Sequence, residues 1–287
     1  MTHTHHDHQH SHGHGHGHQH DDGQAEVLDL DAEVLAEHTA SITAWLPVTA
    51  RPRQIVDLGC GTGAGTFALL TRVPDAHGTA VDSSVDHLRR LREKAGAEGV
   101  ADRIHTVLAD LDADWPELGT PDLVWASASM HHMADPDRTL RRVHDALAPG
   151  GLFAVVELAG FPRFLPDDAP EGRPGLEERC HVASDRYHAE HVPHRGADWG
   201  PKLTAAGFTL DGERTITVHV EQSGSDAIGR YALNSLQRLR GSVADALPAE
   251  DLAALDELLD ADSPHSVLRR DDLVVRAERQ VWAARRA

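Results

Sequence analysis

Between residues 54 and 157 short apolar runs alternate with stretches of helical periodicity, and this alternation constrains the fold most tightly. Apolar runs over 54–58, 78–81, 104–108, 123–126 and 152–157 read as strands buried on both faces. The segments between them carry helix signals. Ser84 is placed to cap a helix whose apolar stripe is Val85, Leu88, Leu91 and Ala95. Asp135-Pro136 opens another, with Leu140, Val143 and Leu147 on its inner face and Gly150 at its stop. Parallel strands need long crossovers, and helices supply them. A mostly parallel α/β sheet with helices on both faces follows.

The flanks divide by composition. Residues 1–23 carry ten histidines among Gly, Gln, Ser and Asp, bury nothing apolar and are expected to be disordered. Ten imidazoles give that tail the chemistry to chelate a divalent metal. Residues 24–50 form an N-terminal helical cap, with Val27, Leu28, Leu35, Ile42 and Leu46 apolar. The main domain covers 51–287. Within it, 159–200 lacks a clear period and reads as a lid. Strands at 214–220 and 273–283 bracket a helical insertion at 223–270.

The first strand ends in Val56-Asp57-Leu58-Gly59-Cys60-Gly61-Thr62-Gly63. Glycines there let the backbone turn sharply and approach a ligand, and the next helix offers free N–H groups. The dinucleotide spacing Gly-x-Gly-x-x-Gly is not met, since Ala64 and Thr66 stand where glycine is needed. Asp57 would also repel a pyrophosphate and suits an ammonium group. The second strand ends on Asp82 and the third runs into Asp110.

This set resembles motif I and the following acids of the class I S-adenosylmethionine (SAM)-dependent methyltransferases, small-molecule type. Ala148-Pro149-Gly150-Gly151 before the fifth strand is similar too. The resemblance spans roughly 54–157 closely and implies a seven-stranded Rossmann-like sheet. It implies that Asp57, Gly59, Cys60, Gly61 and Gly63 meet the amino-acid half of SAM. Asp82 would take the ribose hydroxyls, Ser83 and His87 would flank the adenine, and Asp110 and Leu111 would meet its amino edge. Ser127, at the end of the fourth strand, completes the cofactor set.

Methyl transfer from a sulfonium mainly requires positioning. A base is needed only where the acceptor must lose a proton, and His131 and His132 past the fourth strand are the candidates. Tyr187 and Trp199 are candidates to line the acceptor pocket from the lid. The spacing of His188, His191 and His194 invites a metal reading. Pro193 and the lack of a paired Cys-x-x-Cys argue against it, so no metal site is expected in the domain. The Asn/Asp-Pro-Pro-aromatic motif of base-amino methyltransferases is missing at Ala128-Ser129-Met130-His131.

A net charge of -19 disfavours nucleic acid and fits a small or cationic acceptor better than a polyanion. No run reaches the roughly 18 apolar residues of a membrane helix. Two distant cysteines, Cys60 and Cys180, give no disulfide framework, so a cytoplasmic location is expected. Two alternatives stay open: a non-catalytic SAM-fold or metal-handling protein working through its tail, and a nicotinamide oxidoreductase.

Overall fold

The computed structural model describes residues 17–48, 51–222 and 226–287. The expectation of a disordered tail falls, for residues 1–16, outside that range. Helix α1 starts at Gly17 and runs to Val34, so it begins inside the His-rich block rather than at Ala25. His, Gln and Asp cost only a few tenths of a kcal/mol each in a helix, and a docked helix extends readily through them. Helix α2 (Ala36–Trp45) follows after a break at Leu35.

The α/β alternation appears as read. The strands are β1 (Gln54–Leu58), β2 (His77–Asp82), β3 (Ile104–Leu108), β4 (Leu123–Ser127) and β5 (Leu152–Leu158). Between them lie α3 (Ala64–Arg72), α4 (Val85–Ala97) and α5 (Pro136–Ala146). Ser84 accepts the His87 N–H and Asp135 the Arg138 N–H, so both expected caps form. The chain continues through α6 (Leu176–His191), α7 (Trp199–Ala205), β6 (Phe208–Glu221), α8 (Ala227–Ser242), α9 (Ala249–Leu259) and β7 (Val274–Arg286).

The seven strands lie in the order β3-β2-β1-β4-β5-β7-β6. β1 to β5 pair in parallel, and β7 runs antiparallel to both neighbours. Alternate strand residues feed opposite faces. Val56, Val124 and Phe153 pack with Leu140 of α5 and Leu203 of α7. Ile55, Leu123 and Ala154 pack with Ile42 of α2 and Leu69 of α3. Each such leucine contributes about 2 kcal/mol by leaving water.

The segment read as an irregular lid contains a helix of 16 residues, α6. Its buried stripe is Leu176, Cys180 and Ala183, and it packs with Tyr231 and Leu236 of α8, Leu255 of α9 and Leu30 of α1. Pro193 ends this helix rather than forbidding it, because the residue before a proline is pushed out of the α region. The lid and insertion therefore build a second core that supports α1.

Two carboxylates on α1 anchor it from both sides. Asp29 receives Arg90 at 2.9 Å and Lys94 at 2.5 Å, both from α4. Asp31 receives the Tyr231 hydroxyl at 2.5 Å and Arg279 at 2.7 Å. Asp29→Ala removes the first anchor and leaves the sheet untouched. Faster amide hydrogen exchange is expected over residues 24–34, with exchange in β1 and β4 unchanged.

Candidate functional site

The carboxyl ends of β1, β2 and β4 open onto a cavity of about 490 Å³. That is within the range of small-molecule sites. Such sites occur at the point where strand order reverses, here between β1 and β4. The glycine loop forms one wall. Gly59 and Cys60 donate their N–H groups to the Val81 carbonyl, and the Gly61 N–H donates to Asp82 Oδ2 at 2.8 Å. Gly59 has φ +69, and a Cβ there would lie 2.5 Å from Ser129 Cβ. Gly63 has φ +98 and caps α3; a Cβ would meet Phe67 and Leu91.

Gly59, Cys60, Gly61, Asp82, Ser83, His87, Asp110, Leu111 and Ser127 all line the cavity. Asp57 and Gly63 do not. Asp57 is buried behind the loop, where Oδ2 accepts the Thr66 hydroxyl at 2.7 Å. Burial and the neighbouring Asp82 raise its carboxyl to about 7. Asp82 behaves in the opposite sense. Its burial works against the charge, but hydrogen bonds from His87, Ser84 and Gly61 outweigh it and hold the carboxyl below its usual range. Burial pushes the Cys60 thiol well up, with Asp57 and Asp82 adding to it, so Cys60 is a neutral wall residue.

Past β4 the chain turns through Ala128, at φ 51, into a short 3₁₀ turn, Met130–His132. Ser129 Oγ donates to the Leu58 carbonyl at 2.8 Å and ties this turn to β1. Buried Glu157 of β5 anchors it further: Oε1 accepts Met130 N–H, and Oε2 lies 2.5 Å from His131 Nδ1. His131 is therefore committed to Glu157 and does not line the cavity. His132 does line it, with its ring centroid 4.0 Å from that of His131. Desolvation, then the nearby His131, lower His132 to about 4, so it is a neutral imidazole at pH 7.

The lid aromatics lie elsewhere. Tyr187 is 49% exposed and stacks on His191, while Trp199 is fully buried among Leu203, Phe208 and Trp282. Aromatic character alone did not tell which way either side chain would point. Helix α1 and helix α2 close the cavity instead, through Leu28, Asp31, Leu35, His38, Thr39 and Ile42. Val218 of β6 and Arg279 of β7 complete the far wall. These residues carried no local motif. Among the described residues no cluster of ligating side chains fits a metal ion.

Asp57 gives a pH-dependent test. A carboxyl raised to about 7 in the fold holds its proton where the unfolded chain has already lost it, so stability falls as pH rises from about 4 to about 7. Asp57→Asn keeps an acceptor for Thr66 without that cost. It is expected to raise the melting temperature relative to the parent by more at pH 8 than at pH 4.

The methyltransferase domain family matches residues 55–151. A trans-aconitate 2-methyltransferase of Paracidovorax citrulli is 36% identical over 233 residues, covering 78% of this chain and 83% of its own. An uncharacterised Synechococcus protein is 39% identical over 125 residues, 43% of this chain but only 30% of its own. Further trans-aconitate 2-methyltransferases are likewise matched over less than half their length. In fold, the chain is similar to a candidate methyltransferase of Bacillus halodurans, at TM-score 0.54 and 16% identity, over 86% of this chain and 98% of that one. A likeness that runs through 83% of a full-length relative, on a sheet of this topology with its loop and acids in place, establishes kinship: the chain belongs to the class I SAM-dependent methyltransferase family.

Proposed function

We propose that this chain transfers the methyl group of SAM to a small-molecule acceptor held in the cavity. One observation carries the reading: a single cavity joins the Asp82–His87 side to the His132–Arg279 side. The donor side suits the cofactor. His87 Nε2 is buried and has no partner there. Asp82 Oδ2 accepts only the Gly61 N–H, so it retains a lone pair for a hydroxyl.

Asp82 would hold the ribose, Ser83 and His87 would flank the adenine, and Asp110 with Leu111 would meet its edge. Gly59, Cys60 and Gly61 would wrap the amino-acid half, with Ser127 beside it. Asp57 and Gly63 act from behind, by fixing α3 and the loop. Bound SAM supplies a methyl group on a sulfonium, already activated by its charge. His132 is the group that would take a proton from an acceptor hydroxyl or amine, and the Glu157–His131 pair fixes the turn that carries it.

The relatives named for trans-aconitate support an acceptor of small-molecule size. Among the described residues no helix is long and apolar enough to cross a membrane. The two cysteines are buried and free, which fits a reducing compartment, and we assign the chain to the cytoplasm.

Asp82→Ala tests the cofactor site. Calorimetry with S-adenosylhomocysteine is expected to show affinity reduced at least about tenfold; unchanged affinity would sink the assignment. His132→Asn is expected to lower kcat by about 10²-fold without changing cofactor affinity. Because a base works only unprotonated, the parent's kcat should fall on the acid side near pH 4, where His132 titrates, and not near 6.5.

A further inference from the structure

Resting on the cofactor reading above, we infer that the acceptor is a compact, mainly apolar molecule bearing a single carboxylate, received by Arg279, and that polycarboxylates are excluded. The sheet order separates the two substrates. The loop and acids of β1, β2 and β3 take the donor half, which leaves the β5–β7 half for the acceptor. Arg279 stands there, opposite Leu158 at the carboxyl end of β5.

Among the described residues Arg279 is the one cation lining the cavity. Its side chain is 11% exposed, so its charge is poorly screened. One donor, Nη2, is committed to Asp31 at 2.7 Å. A guanidinium carries five N–H donors in a planar fork, so the remaining edges can receive a second oxyanion. Tyr231 bonds the same Asp31 oxygen and fixes the pair's orientation. The cavity's apolar lining includes Leu35, Val156 and Val218, while Leu28 lies against Gly61 of the glycine loop. His38 adds a buried Nδ1 without a partner, a second polar contact for the acceptor.

Charge sets the upper limit. Four carboxylates line the cavity, Asp31, Asp82, Asp110 and Asp112, against that one guanidinium. A single anionic group finds a local partner. A second or third on the same molecule would find no further guanidinium or ammonium among the described lining residues, only neutral polar groups such as His38 and Thr39 and the like charge of Asp31, and charge without a counter-ion is disfavoured there. Trans-aconitate, with three carboxylates, is therefore a poor ligand here despite the names of the relatives.

The test uses the full chain saturated with S-adenosylhomocysteine. Calorimetry compares cinnamate, sorbate and hexanoate with their neutral amides and with trans-aconitate. The best monocarboxylate is expected to bind at least about tenfold tighter than its amide and tighter than trans-aconitate. Arg279→Gln should erase the preference over the amide while leaving cofactor affinity intact. Asp31→Asn keeps Arg279 and removes its internal competitor. It should tighten carboxylate binding, which provides a readout should Arg279→Gln fold poorly. Trans-aconitate binding as tightly as the best monocarboxylate overturns the inference. So does an absence of monocarboxylate binding, or a preference indifferent to both substitutions. Failure of the parent to bind S-adenosylhomocysteine appears before any acceptor is added, and overturns the cofactor reading itself.

Discussion

The carboxylate of Asp82 organises the glycine-loop side of the cavity. It takes the Gly61 N–H on one oxygen and the Ser84 N–H and His87 ring on the other. One side chain thus fixes the glycine loop after β1 and the start of α4 after β2. With Gly59 and Cys60 also bonded to Val81, the loop is held before any ligand arrives. A loop already in place costs little entropy on binding. The negative charge of Asp82 is thus the charge that shapes the cradle.

The opposite side of the cavity is organised differently. Its walls come from α1 and α2 on one side and from β5, β6 and β7 on the other. Position there depends on ion pairs between distant segments rather than on one turn. Asp29 fastens α1 to α4, while Asp31 fastens it to β7 and α8. The 159–200 segment and the helical insertion stand behind this wall and hold it up through their own core.

Local chemistry decided what was legible in the sequence. β1 to β5, the glycine turn and the caps at Ser84 and Asp135 could be read because each is specified by neighbours within a few residues. Helix α6 was hidden because its inner stripe, Leu176, Cys180 and Ala183, is narrow and lies among His, Glu and Asp. Asp57 looked like a ligand group because the sequence places it at a strand end; whether it faces the cavity or α3 depends on the pleat. Glu157 passed unnoticed because an acid ending a strand usually meets water, whereas this one meets the Met130–His132 turn. The Asp31–Arg279 pair spans 248 residues, beyond any spacing rule.

That span has an evolutionary consequence. Residues 55–151, the part shared with the methyltransferase domain family, contain the glycine-loop cradle but neither member of the pair. The pair joins the segments before and after that common part, one supplying the carboxylate and the other the guanidinium. A change at either position alone removes the ion pair. Divergence at these positions among such proteins would then proceed by matched substitutions before and after the common segment. Chimeras exchanging only one of these segments would break the pair, while those exchanging both would keep it.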